Sequence, residues 1–213
     1  TAVTTIAVTI AIENGMTVAT AAGNYGDNGI IAPADAFDVI TCGAVNVNGE
    51  IAGFSSHGPT ADGRIKPDVC AQGVNTYCAN TDDPSSYRTA NGTSLSTPLV
   101  GGAVAVILSA RPNWTPYMIR EALMMTANNV DNPDNQYGWG VIDIMAAIDY
   151  FSIAGDVNND DVLDVLDLVL IVNYILGPEL PTEEQLTIAD INNDGILDVI
   201  DLVQLVAIII GES

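Results

Sequence analysis

Positive charge is what this sequence has least of. Five Lys and Arg and a single histidine stand against 27 Asp and Glu, for a formal net charge of -22 over 213 residues. A surface so acidic repels phosphate backbones and anionic headgroups, which excludes nucleic acid and acidic membranes as partners. Cysteine is also scarce: Cys42, Cys70 and Cys78 allow one disulfide at most. Cys70 and Cys78 are the plausible pair by proximity, Cys42 reads as a buried strand thiol, and the three do not form a metal site. Long apolar runs are missing too. The longest, near Leu99 to Leu108 and Val203 to Ile210, fall short of the ~20 residues that span a bilayer, so no membrane span is expected and both read as buried or interface helices. The charge is uneven: 14 acids precede Gly155 and 13 follow it, while every Lys and Arg lies at or before Arg120.

Asn91 to Pro98 reads NGTSLSTP. Gly92 permits a tight bend, Ser94 falls near the start of the apolar run Leu99 to Leu108, and Pro98 is expected in the first turn of that helix, where a missing N–H costs little. The positive end of the helix would then face any anion formed at Ser94. By itself the octapeptide reads equally as an ordinary helix cap, because Thr93, Ser94 and Ser96 are all good capping residues. Upstream, the segment Ala21-Ala22-Gly23-Asn24 follows the apolar stretch Met16 to Thr20, which places Asn24 on a loop just past a strand. Phe54 to Pro59 and Asp62 to Asp68 read as a turn-rich surface connection to the next strand.

These segments and their order resemble the subtilisin-like serine peptidases over residues 1 to 150, as do Arg111 to Pro116 and Tyr137 to Gly140 further on. The resemblance implies an α/β fold, doubly wound around a mostly parallel sheet. It makes Ser94 the acyl-forming nucleophile and Asn24 the side-chain donor of the oxyanion hole, with the Ser94 N–H as second donor. Ala21, Ala22 and Gly23 would wall the pocket for the residue before the scissile bond. A peptide carbonyl attacked by a hydroxyl becomes an oxyanion, and donors already aimed at it stabilise the transition state without reorganising.

The base is harder to find. The family's chain order is aspartate, histidine, serine, with the first two ahead of the oxyanion asparagine. The residues before Asn24 hold no histidine and one acid, Glu13, on an expected helix from Thr4 to Asn14. His57 lies on the wrong side of Asn24 with no orienting acid in view, and reads as structural. The chain is therefore expected to be the back part of a longer secreted precursor, inactive alone, with one side of its sheet unpaired.

Asp156, Asn158, Asp160, Asp164 and Asp167 place oxygen side chains at positions 1, 3, 5, 9 and 12 of a loop, with the Val162 carbonyl at position 7. The pattern recurs thirty-four residues on as Asp190, Asn192, Asp194, Asp198 and Asp201, with the Ile196 carbonyl. A hard cation needs six to eight oxygens from a short loop, so two Ca²⁺ ions are expected. Asp161 stands where the second loop has Gly195, a left-handed position Asp tolerates at a cost; weaker binding at the first site is expected. An apolar helix follows each loop, Val165 to Leu176 and Val199 to Ile210, with no matching helix ahead of it. Loop plus helix, twice, resembles a type I dockerin over residues 155 to 211. That resemblance implies a cohesin-type partner met by Val165, Leu166, Val199 and Ile200, with near two-fold symmetry. Thirteen acids would repel one another without metal, so this module is expected to fold only with calcium.

The expected organisation is a peptidase part, residues 1–152, and a dockerin, residues 153–213. The expected function is a secreted serine endopeptidase acting on polypeptides and displayed through its dockerin. The alternative is a protease-like scaffold without catalysis, beside an interaction module.

Overall fold

The structure is a computed structural model that describes residues 2–83, 85–178 and 180–211, with backbone alone at 183 and 184. It divides into two compact units, Thr1–Tyr150 and Phe151–Ser213.

The first unit is built on three parallel strands in the order β1 (Ala19–Ala21), β2 (Ile40–Val45), β3 (Val69–Gln72). Ala19 pairs with Ile40, and Cys42 with Val69. All six residues of β2 are buried, as a parallel strand covered on both faces requires. β1 is an edge, and its outer side pairs with no strand among the described residues. Helix α1 (Val3–Glu13) leads into β1, and its Ile12 packs with Ala36 and Val39. No α-helix joins the parallel strands; the loops 22–39, with one 3-10 turn at Gly26–Asn28, and 46–68 cross over instead. A hairpin of β4 (Thr76–Ala79) and β5 (Tyr87–Ala90) then delivers the chain to α2 (Thr93–Ala110).

Helix α2 buries Thr93, Ser96, Val100, Ala103, Val104 and Ile107, the 3.6-residue spacing of one face laid on the sheet. Its other side, including Leu99 and Val106, is exposed, so the apolar run is buried on one face only. Among the described residues, α2 alone has the length and apolarity to cross a bilayer, and its buried stripe is that of a core helix. Pro98 sits in the second turn rather than the first, because the helix starts at Thr93. It removes the bond that would reach back to Ser94, while Thr97 Oγ1 donates to the Thr93 carbonyl at 2.7 Å. Helix α3 (Pro116–Met125) begins as its Thr-Pro start dictates, with Thr115 accepting from the Met118 N–H and proline in the first turn. Helix α4 (Ile144–Asp149) closes the unit.

The loop expected at the surface is exposed at its tip, Ala61 to Gly63, but buries several of its polar side chains. Lys66 is 1% exposed and Asp68 0%. The Lys66 ammonium meets the Asp68 carboxylate and donates to the Val39 carbonyl at 3.0 Å, while Arg120 of α3 takes the other Asp68 oxygen at 2.5 Å. Asp68 also accepts the Thr41 N–H of β2 at 2.7 Å. Burial pulls the Lys66 ammonium below the usual lysine range, and the facing Asp68 carboxylate partly restores it. Ser55 and Ser56 are buried for a similar reason: each hydroxyl accepts a backbone N–H, from Ala44 and from Tyr25. A crossover without a helix has backbone groups to satisfy, and these side chains satisfy them.

All three cysteines are free thiols, so the Cys70–Cys78 pairing that proximity made plausible is not formed. Cys70 points into the core, its Sγ 3.4 Å from the Tyr137 carbonyl, while Cys78 lies half-exposed on the hairpin. Cys42 is fully buried in β2, and burial pushes its thiol up to about 12.

The second unit packs α5 (Val165–Leu176) against α7 (Val199–Ile210) over a core of Val157, Ile171, Ala189 and Leu205. A short helix that the sequence reading did not anticipate, α6 (Glu183–Ala189), runs directly into the second loop. Its signal was legible: Thr182 and Gln185 form a reciprocal capping box.

Candidate functional site

The turn that carries Ser94 is fastened to the sheet. The Gly73 N–H donates to Val45 at the end of β2, the Gly92 N–H donates to the Gly73 carbonyl at 2.8 Å, and the Asn75 N–H donates to Asn91 Oδ1 at 2.7 Å. Gly92 has φ 151° and ψ 153°, a region open essentially to glycine alone. Ser94 follows as the second residue of α2, exposed, with its N–H lacking an acceptor one turn back. Gly92 caps this helix with no side chain of its own. The cap comes from elsewhere in the chain: Asn24 Oδ1 accepts the Thr93 N–H at 2.9 Å and the Thr93 hydroxyl at 3.0 Å. The ordinary-cap reading of Thr93, Ser94 and Ser96 therefore does not describe this helix.

Fixing Asn24 by its oxygen leaves its amide nitrogen to face the turn. A Cβ at Gly92 would lie 3.0 Å from Ser94 Oγ and 3.4 Å from Asn24 Nδ2, so hydroxyl and amide flank one point. Gly23 lets Asn24 reach it, with φ +116° and no room for a Cβ beside Ser56 Oγ at 2.9 Å. Of the expected pocket wall, Ala22 and Gly23 are buried and Ala21 is half-buried. Ala22, fully buried, thus presents no side chain to a cleft, and of the three only Ala21 keeps side-chain surface.

The sequence reading missed Thr93 and Ser56, which hold Asn24 and Tyr25 in place; serine and threonine offer no signal until their partners are known. It also left His57 without an acid. The fold supplies one: His57 Nε2 lies 2.9 Å from Asp27 Oδ1, in the turn just past Asn24, and Nδ1 lies 3.2 Å from the Gly58 carbonyl.

The acidic loops of the second unit are near copies. Asp160 and Asp161 donate their N–H groups to Asp156, as Asp194 and Gly195 do to Asp190, at 2.8–3.2 Å. Asp164 and Asp198 cap α5 and α7 with the same φ −143° and ψ −168°, each within a capping box. Asp167 and Asp201 are fully buried and return the capping bond to the N–H of Asp164 and Asp198, at 3.0 and 2.9 Å. Asp161 has φ +65° where Gly195 has φ +82°, the left-handed turn that the sixth position needs. Carboxylates alone do not make either cage: among the described residues no three His, Cys, Asp or Glu side chains cluster as a metal site. The fit to calcium rests on the mixed oxygen donors, Asn158 and Asn192 and the carbonyls of Val162 and Ile196 beside the carboxylates, which is the chemistry of a hard cation. Burial raises the Asp156 carboxyl above the usual range, the cost a bound cation would offset.

Just beyond the caps, matched residues of the two helices stand exposed. Val165 and Val199 are 61% and 62% exposed, Leu166 and Ile200 55% and 51%, Val169 and Val203 52% and 62%.

Residues 1–140 match the model of the subtilase family, and residues 154–209 that of the dockerin type I domain. Subtilisin E of Bacillus subtilis (strain 168) is 40% identical over 141 residues, which cover 64% of this chain and 35% of that protein. Subtilisin Savinase of Lederbergia lenta is 36% identical over 141 residues, 66% of this chain and 49% of that one. Among solved structures, the self-cleaved protease domain of PatA aligns with a TM-score of 0.59 at 25% identity, covering 68% of this chain and 54% of its own. The Prenylagaramide maturation protease PagA gives 0.57 at 27%, with the same coverage. The chain thus spans between about a third and a half of the length of these curated relatives. With its parallel sheet, its serine at the head of α2 and its paired acidic loops, the chain belongs to the subtilase family and carries a type I dockerin domain after the peptidase unit.

Proposed function

We propose that this chain contributes the nucleophile and oxyanion hole of a secreted serine endopeptidase, displayed through its dockerin on a cohesin-type partner. The observation that carries this reading is that Ser94 Oγ and Asn24 Nδ2 lie 3.0 and 3.4 Å from the point a Cβ on Gly92 would occupy, with the Asn24 oxygen tied to Thr93. Ser94 Oγ attacks the peptide carbonyl carbon; the carbonyl oxygen becomes an oxyanion and is held by Asn24 Nδ2–H and the Ser94 N–H, at the positive end of α2. The amine leaves, and water hydrolyses the acyl-enzyme at the same carbon. A histidine base with its aspartate must accept the Ser94 proton and pass it to the leaving amine. His57 is not assigned that part, so these 213 residues by themselves are expected not to hydrolyse peptides. Asp156, Asn158, Asp160, Val162, Asp164 and Asp167 would hold one Ca²⁺, and Asp190, Asn192, Asp194, Ile196, Asp198 and Asp201 a second. The cations would neutralise carboxylates and set the two helix starts. Val165, Leu166, Val199 and Ile200 form the contact surface for the partner.

The test is fluorophosphonate labelling of these residues expressed together with the histidine- and aspartate-bearing sequence that subtilases place ahead of the asparagine. Labelling lost in Ser94→Ala supports the enzyme. Asn24→Ala should label but turn over ~10²–10³ more slowly, a benchmark that is subtilisin's own. Labelling that survives Ser94→Ala would refute the assignment, and no labelling at all favours the non-catalytic scaffold.

A further inference from the structure

Resting on the peptidase role just proposed, we propose that Ser56 is a positioning residue of the oxyanion hole, holding the stretch of backbone on which the Asn24 amide is mounted. The tie from the Asn24 oxygen to Thr93 fixes only the far end of that side chain. Its near end is fixed by Ser56. The Ser56 N–H donates to the Gly23 carbonyl at 2.9 Å, and the Ser56 hydroxyl accepts the Tyr25 N–H at 2.9 Å, so one residue brackets Asn24 from both sides. The Gly26 N–H closes the clasp on the Phe54 carbonyl at 2.9 Å. The two segments are pressed together as well as bonded: a Cβ on Gly23 would meet Ser56 Oγ at 2.9 Å, and one on Gly26 would meet the Gly53 carbonyl at 2.8 Å.

The clasp is itself anchored on the sheet. The Ala52 N–H donates to the Ala44 carbonyl at 2.8 Å, and Ser55 Oγ accepts the Ala44 N–H at 3.0 Å. Ala44 belongs to β2, every residue of which is buried, and Ser56 is fully buried too. The rigidity of the central strand therefore reaches Asn24 through Ser56, and not only along the three-residue edge strand β1. An oxyanion donor stabilises the transition state only if it is aimed beforehand, and a misplacement of ~1 Å can cost ~10²-fold in rate. The outer link of the clasp, His57 to Asp27, is of another kind. The Asp27 carboxylate is fully exposed, and a pair so exposed holds little.

The experiment uses residues 1–213 assembled with the histidine- and aspartate-bearing sequence ahead of them, turning over a peptide p-nitroanilide. Ser56→Ala should lower kcat ~10-fold or more and leave KM within ~2-fold, with circular dichroism unchanged. In an Asn24→Ala background the same substitution should cost less than ~2-fold, because the group it aims is gone. His57→Gln should leave kcat within ~2-fold of the parent. Where Ser56→Ala does not fold, Gly26→Ala drives a Cβ against the Gly53 carbonyl with Ser56 intact, and should reproduce the loss in kcat. An unchanged kcat, a change confined to KM, or an undiminished loss in the Asn24→Ala background overturns the role given to Ser56 and leaves the nucleophile and oxyanion assignment standing. A loss in His57→Gln as large as in Ser56→Ala spreads the effect over the whole loop and overturns it as well. A parent enzyme without Ser94-dependent fluorophosphonate labelling overturns the peptidase reading, and this proposal with it.

Discussion

Asp68→Asn should be among the most damaging single substitutions in the first unit. The carboxylate is fully buried and meets two cations, Lys66 and Arg120, and the Thr41 N–H. Asparagine keeps the volume and an acceptor for Thr41, so the perturbation is almost purely electrostatic. It leaves a fully buried ammonium without its anion, which costs ~3–5 kcal/mol. Arg120 is about one quarter exposed and recovers part of its solvation, so Lys66 dominates the loss. At ~2–4 °C per kcal/mol for a unit of this size, the melting temperature should fall by ~6–20 °C. Both tryptophans, Trp114 and Trp139, lie in the first unit, so denaturation followed by their fluorescence reports on it alone. The pH dependence has a definite sign. Burial already depresses the folded-state value of Lys66 below 10.5, so the unfolded chain binds more protons between the two values. Stability attributable to Lys66 therefore rises with pH across that window, and the burial cost is fully present below it. Removing the anion deepens the depression, and the deficit of Asp68→Asn should narrow as pH rises. Lys66→Met in the same background should recover most of the loss. A deficit under ~1 kcal/mol, or one that Lys66→Met does not relieve, would refute the buried-triad account.

Gly92→Ala forces a Cβ against Ser94 Oγ in a glycine-only conformation, and should cost ~1–3 kcal/mol while removing fluorophosphonate labelling of the assembled enzyme; wild-type labelling would contradict the site geometry. Ellman's reagent should titrate one thiol, Cys78, in the native chain and all three in denaturant, because Cys42 and Cys70 are buried; a single thiol in denaturant would restore the disulfide. Chelation should melt α5 and α7 by circular dichroism and leave tryptophan fluorescence unmoved, with Asp167→Ala or Asp201→Ala imitating it. Asp161→Gly removes a left-handed non-glycine residue and should tighten the first calcium site, by ~1 kcal/mol in a calorimetric titration; equal affinities in the wild type would defeat the premise.

Local sequence determined the pieces whose physics is local. The oxygens of the two loops are spaced along a few residues, the helices after them need only an Asp cap and an apolar stripe, and Val165–Leu176 and Val199–Ile210 form as read. NGTSLSTP likewise set a glycine turn ahead of a serine at a helix start. Tertiary structure decided everything that depends on a distant partner. Asn24 became the cap of α2, nearly seventy residues away, only because β1 lies against that helix. Lys66 and Asp68, read as a surface loop, are buried because a crossover without a helix must find partners for β2 and for itself. Cys70 faces the core and not Cys78, and His57 finds Asp27 across a fold of the chain. Spacing along the chain encodes a cap or a cation loop; which polar group meets which across the sheet follows from packing alone.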